Sequence, residues 1–377
     1  MPGQRPDIVV IGGGIVGVSA SAFLAEAGAH VLLVEQDAIG AAASGRNSGV
    51  VQHPFDPVLA DLYVESLALY RTLAADVPAF LFPAEPTGLL LVSTEIAATR
   101  GLASDLASIV PGMRPTYLDG ADLMRLEPAL HPELAAVRLD IGYPVIPGSA
   151  VHAFAELATR RGSRITIGTA AELLLEGDRV RAVRVGADEI QASAVLIAGG
   201  PWTPTLLDPT RRWSPIVRSW GVIVELALDD PPRHVLEEAE IDAAIEPPAD
   251  RADVDLSGVA FSLVTAAGRS ALGSTFIDTD PVAADYIPAL IERGWRFVPN
   301  IAKATELGSR VCARPVSRDG RPLVGRVPWM RNAYVAAGHG PWGISTGPAT
   351  GRLIADLVLG REPQIPAALD PARFGMP

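Results

Sequence analysis

The chain has 377 residues, of which 49% are hydrophobic and 20% are charged, a composition that is typical of a globular protein and excludes a disordered one. Its length allows two domains, or one domain with a large insertion. The net charge of −12 argues against a nucleic-acid partner, and the single cysteine excludes an intramolecular disulfide and a cysteine-built metal site, so we expect no metal.

The first apolar stretch begins at Ile8, but three consecutive glycines and then Glu26 interrupt it. A membrane-spanning helix needs roughly 20 apolar residues without such interruptions. We expect no signal peptide before this stretch, because the first predicted strand begins almost at the start of the chain. We therefore expect a cytoplasmic protein without a membrane span.

A dinucleotide-binding βαβ unit is predicted at the N-terminus. A buried strand runs into Gly12-x-Gly14-x-x-Gly17, an apolar helix follows, and a second strand ends at Glu35. The glycines allow a tight turn and a close approach of the backbone to a pyrophosphate, which the positive helix N-terminus stabilises. Glu35 suits two ribose hydroxyls and would repel a 2′-phosphate, which argues against NADP. The residues expected to contact the dinucleotide here are Gly12, Gly14, Ile15, Val16, Gly17, Glu35 and Gln36.

The rest of the chain alternates helical and strand patterns. In chain order, these patterns predict a helix over 57–75, a buried strand over 88–92, a helix over 96–110, a helix over 149–161, a hairpin of 172–175 with 180–185, a strand over 194–198, alternating strands around 259–277, a helix over 282–299 and a final helix over 351–359. The acidic, proline-rich segment 229–255 carries few large apolar side chains and is interpreted as a mobile surface excursion.

Three further segments decide which dinucleotide is expected. They are Ser-Gly-Arg-Asn-Ser-Gly at 44–49, an R-P-x-x-x-D-G-x-P-L-x-G run from Arg314 to Gly325, and Tyr-Val-Ala-Ala-Gly-His-Gly at 334–340. Together with the N-terminal unit they resemble the FAD-dependent amino-acid and amine oxidoreductases, a family that includes D-amino acid oxidase, glycine oxidase and sarcosine oxidase. The resemblance spans the whole chain and implies that the dinucleotide is FAD.

The resemblance also implies an interleaved architecture of class α/β. It consists of a Rossmann-like FAD-binding domain and an inserted α+β substrate domain that roofs the flavin with an antiparallel sheet. Residues 1–84, 146–215 and 314–377 are expected to form the FAD-binding domain. Residues 85–145 and 216–313 are expected to form the substrate domain.

Further FAD contacts follow from the same resemblance. The segment at 44–49 should line the flavin and pyrophosphate, the backbone at 171 should face the adenine, the stretch at 198–202 should flank the pyrophosphate and ribityl chain, and 338–346 should reach the isoalloxazine with a second helix N-terminus. The residues implied are Ser44, Arg46, Asn47, Ser48, Gly49, Ala171, Ala198, Gly199, Gly200, Trp202, Arg314, Gly338, Gly340, Gly343, Ile344 and Ser345.

Arg314 is the first candidate for the chemistry, because a planar, always charged guanidinium suits a substrate carboxylate and the residue occupies the family position for that role. The alternative is a structural arginine that pairs with Asp319 or a backbone carbonyl. Trp342 is either a pocket wall or a core residue, and His53 is either a polar contact or base, or structural. Further candidates from the roof are Tyr143, Trp220 and Phe261.

Cys312 bears on how FAD is held. Monomeric sarcosine oxidases attach FAD through a cysteine just ahead of the same C-terminal run, so a covalent link through Cys312 stays open beside the non-covalent binding that we expect by default. Those oxidases also carry a lysine that promotes oxygen reduction, whereas the matching position here is Ala271, and Lys303 lies on another segment. The electron acceptor is therefore O2 or another compound.

The sequence thus predicts a flavoenzyme that oxidises the C–N bond of a small amino acid or secondary amine by hydride transfer to FAD N5, after which water hydrolyses the imine. Two alternatives stay open: an FAD-dependent 2-hydroxy acid dehydrogenase, and a flavoprotein subunit of a multi-component dehydrogenase. The sequence does not define the oligomeric state.

Overall fold

The structure is a computed structural model that describes residues 6–110, 112–239 and 258–377. The strands in these residues are β1 (Ile8–Ile11), β2 (Val31–Val34), β3 (Val50–Val51), β4 (Leu89–Ser93), β5 (Thr116–Asp119), β6 (Ala135–Leu139), β7 (Tyr143–Pro144), β8 (Arg164–Thr166), β9 (Ala171–Glu176), β10 (Arg179–Val185), β11 (Asp188–Ile190), β12 (Ala194–Ile197), β13 (Ile216–Ala227), β14 (Val235–Glu238), β15 (Val259–Ala266), β16 (Arg269–Thr275), β17 (Thr305–Ser317), β18 (Leu323–Arg326) and β19 (Ala333–Ala337). The helices are α1 (Ile15–Glu26), α2 (Ala43–Arg46), α3 (Pro57–Asp76), α4 (Ile96–Ile109), α5 (Gly120–Leu126), α6 (Ser149–Arg160), α7 (Thr203–Leu207), α8 (Ala283–Trp295) and α9 (Gly343–Val358).

A six-stranded sheet carries the N-terminal unit, in the order β18-β19-β12-β1-β2-β8. All its pairs are parallel except β18 with β19. Strands β1, β2 and β12 are wholly apolar and wholly buried, as expected for parallel strands covered on both faces. Helices α1, α3, α6 and α9 pack on one face, and the hairpin of β9 and β10 packs on the other.

A second, eight-stranded sheet forms the roof, in the order β17-β13-β16-β15-β14-β4-β6-β5. Every pair is antiparallel except β14 with β4. Side chains from α5 and α8 pack into one face of this sheet, and Leu106 of α4 packs into the other. The predicted fold class, a Rossmann-like domain with an α+β roof, is confirmed, with one parallel pair inside the otherwise antiparallel roof.

The last helix begins earlier than the sequence predicts, at Gly343 instead of residue 351. The glycines and Pro348 before residue 351 do not interrupt the helix, and two of the glycines serve packing. A Cβ at Gly347 would lie 2.7 Å from a side-chain carbon of Ile15, and one at Gly351 would lie 2.1 Å from the hydroxyl of Ser19. Glycine therefore lets α9 approach α1 closely while the helix continues.

The prediction of a surface excursion over 229–255 is wrong for its first part. Val235–Glu238 form strand β14 inside the roof, where Val235 and Leu236 are fully buried. Two apolar residues are enough for this buried strand because the charge of its last residue is paired: Glu238 accepts hydrogen bonds from Arg293 of α8. The remainder of that prediction, from residue 240 to 255, lies outside the described residues.

The domain boundaries stay a prediction, and the one at 313/314 falls inside the continuous strand β17. The strands of the six-stranded sheet all lie within the segments expected to form the FAD-binding domain. Among the described residues, no helix combines the length and the apolar character needed to cross a bilayer.

Candidate active site

A cleft of about 640 Å³ lies between the two sheets. Its floor includes residues at the carboxyl ends of three parallel strands, at Ile11, Val34 and Ala337, where open α/β sheets bind their ligands. Its roof includes residues of β13, β14, β15, β16 and β17. The cleft therefore joins the predicted dinucleotide turn to the predicted substrate domain.

The glycine turn at the floor has room for glycine alone at two positions. Gly12 has φ +116°, and a Cβ there would lie 2.3 Å from the carbonyl oxygen of Ala198. A Cβ at Gly17 would lie 1.9 Å from the carbonyl oxygen of Gly12. The lack of a side chain at both positions explains the spacing of the motif. It lets α1 begin immediately after β1, with the N-terminus of the helix directed at the cleft.

Two side chains accept hydrogen bonds from backbone N–H groups at the glycine turn. Glu35 accepts hydrogen bonds from the backbone N–H of Gly13 at 2.6 Å and of Asp37 at 2.9 Å. The hydroxyl of Ser44 accepts from the backbone N–H of Ile15 at 3.0 Å, within the first turn of α1. Both side chains line the cleft, so the acidic group that is expected to bind the ribose lies there together with the N-terminus of α1.

Most of the predicted FAD contacts are brought together in this one cleft. Its lining includes Gly12, Gly14, Ile15, Val16, Glu35, Gln36, Ser44, Arg46, Asn47, Ser48, Ala171, Ala198, Gly199, Gly200, Trp202, Arg314, Gly340, Gly343 and Ile344. Residues from distant parts of the chain thus form one continuous surface, with the dinucleotide turn at one end and the start of α9 at the other. This arrangement fits FAD.

Four predicted FAD contacts do not line the cleft and instead support the residues that do. Gly17 holds α1 against the turn, and Gly49, with φ +86°, would place a Cβ 2.5 Å from the carbonyl oxygen of Val145. Gly338 has φ +88° just before the loop at 339–342. The hydroxyl of Ser345 accepts a hydrogen bond from the backbone N–H of Gln52 at 3.0 Å.

Arg314 points its guanidinium into the cleft from β17. Nη1 donates to the carbonyl oxygen of Thr275 at 2.7 Å, and Nη2 donates to the hydroxyl of Ser274. The group lies 4.6 Å from the ring centroid of Phe276, a distance at which a cation and an aromatic face attract each other. Three contacts therefore fix its orientation.

No carboxylate of the described residues forms an ion pair with Arg314. Asp319 pairs with Arg373 instead, so of the two structural alternatives only the backbone carbonyl contact is present. Burial lowers the pKa of Arg314, because the charged guanidinium loses solvation in the cleft. An anionic ligand in the cleft would compensate that charge.

Cys312 lines the same cleft two residues before Arg314 on β17. Its sulfur lies 3.8 Å from the carbonyl oxygen of Arg46. Burial raises the pKa of the thiol, and the positive charges of Arg314, Arg310 and Arg46 offset this only in part. A raised pKa reduces the thiolate fraction, and thiolate is the nucleophilic form.

His53 and Trp342 do not belong to the described lining of the cleft. His53 is buried, its Nδ1 accepts from the backbone N–H of Phe55 at 3.0 Å, and its ring packs edge-on against Tyr63. Burial lowers the pKa of this imidazole. Trp342 packs edge-on against Phe55. Both contacts match the structural alternative for each residue, and their catalytic roles stay predictions.

Of the three roof aromatics, Trp220 lines the cleft and the other two belong to core stacks. Tyr143 stacks on Phe82 with ring centroids 5.2 Å apart, and Phe261 stacks on Phe297 at 4.5 Å. The placement of these two in the pocket is corrected, because large aromatic residues fill both pockets and cores and the sequence pattern does not distinguish them.

Three polar residues of the cleft carry no sequence motif and were missed: Glu237, Ser262 and Ser274. His339 also lines the cleft and lies in the predicted run 334–340, but it was not named as a contact. Glu237 falls in the acidic segment interpreted as a surface excursion, and the two serines interrupt apolar strands without a recognisable spacing. His339 is buried, its Nε2 lies 3.0 Å from the hydroxyl of Thr350, and burial lowers its pKa to about 4.

A glycine turn at the head of a parallel sheet, covered by a second sheet that carries an arginine over the cleft, matches the arrangement that the resemblance implies for a flavin-dependent oxidoreductase. The family model described as FAD dependent oxidoreductase matches residues 7–357. The chain therefore belongs to that family, and the expectations of FAD as cofactor and of an oxidoreductase activity are confirmed.

Relatives with similar sequences and structures cover almost the whole chain. Glycine oxidase of Pseudomonas aeruginosa is 26% identical over 97% of this chain and 98% of its own length. D-Amino acid dehydrogenase of Methylobacterium radiotolerans is 28% identical over 95% of this chain and 97% of its own. The crystal structure of glycine oxidase from Geobacillus kaustophilus has the same fold, with a TM-score of 0.83, 24% identity and 98% of both chains covered.

Proposed function

We propose that this enzyme oxidises the C–N bond of a small amino acid or secondary amine that carries a carboxylate. The observation that carries the proposal is Arg314, a poorly hydrated guanidinium without a carboxylate partner among the described residues, in the same cleft as the FAD-binding residues. The names of the relatives, glycine oxidase and D-amino acid dehydrogenase, support the same substrate class.

The residues that line the cleft would hold FAD, and the bound cofactor would supply the redox chemistry as the acceptor of a hydride from the substrate carbon; water would then hydrolyse the imine. The protein contributes mainly position, since holding the reacting groups in place supplies much of the rate. Arg314 binds the carboxylate with two parallel hydrogen bonds, a geometry that fixes the substrate plane. The contacts of Arg314 with Thr275, Ser274 and Phe276 hold the guanidinium ready for this.

The electron acceptor stays open between O2 and another compound. Ala271, at the position where sarcosine oxidases carry a lysine, is buried, and the chain's single lysine, Lys303, is exposed and is not part of the described lining of the cleft. In those oxidases it is the lysine that promotes oxygen reduction, so Ala271 at this position keeps a dehydrogenase with another acceptor open beside an oxidase.

Anaerobic reduction of the bound flavin tests the proposal directly. The purified enzyme is mixed with glycine, both enantiomers of alanine and proline, sarcosine, and the 2-hydroxy acids glycolate and lactate, and the loss of flavin absorbance is followed. Reduction by an amino acid or N-methyl amine supports the proposal. Reduction by hydroxy acids alone would establish the 2-hydroxy acid dehydrogenase instead, and reduction only after a second protein is added would establish the multi-component alternative.

A further inference from the structure

Pro348 interrupts the backbone hydrogen bonding of α9 near its start. A proline has no backbone N–H, so the carbonyl oxygen four residues earlier, at Ile344, loses its donor within the helix. Ile344 belongs to the first turn of α9 and lines the cleft. The helix therefore has an unsatisfied carbonyl group at the end that faces the cleft, and a buried carbonyl group needs a donor from elsewhere.

Tyr70 of α3 supplies that donor. Its hydroxyl donates to the carbonyl oxygen of Ile344 at 2.6 Å. One turn earlier on the same face of α3, the hydroxyl of Ser66 accepts from the backbone N–H of Ala349 at 3.1 Å. Two side chains of α3 therefore bind backbone groups of α9 on both sides of Pro348, and Tyr70 binds the one that the proline deprives of its donor.

The position of the Tyr70 hydroxyl is fixed by the surroundings of its ring. The residue is fully buried, and its ring stacks on that of Phe82 with centroids 5.3 Å apart. Phe80 and Phe154 are further aromatic neighbours, at 5.8 and 6.2 Å. Burial also raises the pKa of the phenol, so the hydroxyl stays protonated and remains a donor. Because a close-packed ring moves little, its hydrogen bond fixes the first turn of α9 relative to the core.

We infer that Tyr70 is a positioning residue, which sets the N-terminus of α9 where it stabilises the reduced flavin. The first N–H groups of a helix have no partner within it, and the positive end of the helix dipole stabilises a negative charge. The flavin gains negative charge on reduction, so a correctly placed α9 favours the reduced cofactor. The inference rests on the expected contact of 338–346 with the isoalloxazine. It goes beyond the proposed function, since it makes no assumption about the substrate.

The test compares Tyr70→Phe, which removes the hydroxyl and keeps the ring, with Tyr334→Phe. The control removes the hydroxyl of another buried tyrosine of the same hydrophobic core, one that accepts a hydrogen bond from Arg326 at 2.8 Å. Urea unfolding measures the stability of the FAD-free protein, and fluorescence titration measures the dissociation constant of FAD. Dye-coupled reduction measures the midpoint potential of the bound flavin. None of these measurements requires a substrate.

Tyr70→Phe should weaken binding of oxidised FAD by about 10-fold and of reduced FAD by about 100-fold, because the carbonyl oxygen of Ile344 is left without a donor and the first turn of α9 moves. The tenfold difference between the redox states lowers the midpoint potential by about 30 mV for a two-electron couple. Tyr334→Phe should lower the stability of the FAD-free protein and keep the wild-type FAD affinity and potential. If Tyr70→Phe also changes stability alone, the inference is overturned and Tyr70 serves only the core.

Pro348→Ala provides an independent test, because alanine restores the N–H that a helix donates to the carbonyl oxygen of Ile344. In the double variant with Tyr70→Phe, the FAD affinity and the midpoint potential should return to those of Pro348→Ala alone. No recovery would also overturn the inference, since Tyr70 then does not act through this carbonyl group. Failure of the proposed function has another signature: no amino acid or amine reduces the wild-type flavin, while the measurements on Tyr70 keep their outcomes.

Discussion

Gly221 of β13 lies so close to the guanidinium of Arg314 on the paired strand β17 that a Cβ at residue 221 would be 2.4 Å from Nη2. It would also lie 2.7 Å from both Cζ and Nη1. The absence of a side chain at Gly221 thus creates the space in which the predicted carboxylate-binding group rests. Arg314 is the flexible partner in this contact, since the guanidinium can move and the strand backbone cannot.

Gly221→Ala should displace the guanidinium and leave the fold intact. We expect KM for carboxylate substrates to rise by about 10-fold, because the two hydrogen bonds to the carboxylate lose their alignment. FAD content and thermal stability should stay near the wild-type values. The matched control is Gly101→Ala on α4, where no atom lies within 4 Å of the new Cβ. An unchanged KM in Gly221→Ala would contradict this relationship.

Arg314→Ala removes the guanidinium altogether. KM for carboxylate substrates should rise by at least about 100-fold, because a bidentate charged pair is lost, while amines without a carboxylate should be affected much less. Steady-state kinetics with sarcosine and with N-methylated amines lacking the carboxylate separate the two classes. If both classes lose activity equally, Arg314 serves the fold or the flavin and does not bind the substrate.

Much of the floor of the cleft could be predicted from the sequence because its geometry is local. Gly12, Gly17 and Glu35 lie within one βαβ unit, where fixed spacings between residues imply fixed positions in space. Of the contacts predicted within this unit, only Gly17 does not line the cleft, and it contributes through the packing of α1.

The roof could not be predicted in the same way because it depends on strand register between distant segments. Glu237 faces Ser262 across one strand pair, and Ser274 meets Arg314 from another. A shift of one residue in either strand would turn these side chains to the opposite face, and no local pattern sets that register. The resemblance to a family supplied Arg314, whereas Glu237 required the structure.

Acid precipitation should release the flavin into the supernatant. Burial raises the pKa of Cys312, so the thiolate needed for a covalent link is scarce around neutral pH. A Cys312→Ser variant should therefore bind as much FAD as the wild type, measured by absorbance after purification. Colour that stays with the precipitated wild type and is lost from the precipitated variant would establish the covalent link instead.

His339 should make the protein less stable in acid. Burial lowers the pKa of this imidazole from 6.5 to about 4, so the unfolded chain takes up a proton at a higher pH than the folded protein. Its contribution to the free energy of unfolding is therefore complete above pH 6.5 and is lost as the pH falls towards 4. The loss amounts to roughly 3 kcal/mol at 1.36 kcal/mol per pKa unit.

Urea unfolding of the wild type and of His339→Gln between these two pH values measures this contribution. The variant should show a shallower decrease in the free energy of unfolding, even if it is less stable at neutral pH. Substitution of the exposed His152 by glutamine is the control and should keep the wild-type slope. Parallel slopes for the wild type and His339→Gln would contradict the low pKa.

Gly14 and Gly17 should have separable roles, although both belong to the same turn. A Cβ at Gly17 would collide with the backbone carbonyl oxygen of Gly12 at 1.9 Å, whereas a Cβ at Gly14 would contact the side chain of Ser44, with its hydroxyl nearest at 3.1 Å. Gly17→Ala should therefore lower the free energy of unfolding of the FAD-free protein by about 1–3 kcal/mol and also weaken FAD binding, since α1 must move away from the turn. Gly14→Ala should lower stability less and still weaken FAD binding, because its methyl group projects into the cleft.

Urea unfolding after FAD removal, together with fluorescence titration by FAD, measures both quantities. Equal losses of stability in the two variants would show that the whole turn, and not the contact of Gly17 with Gly12, limits the packing of α1.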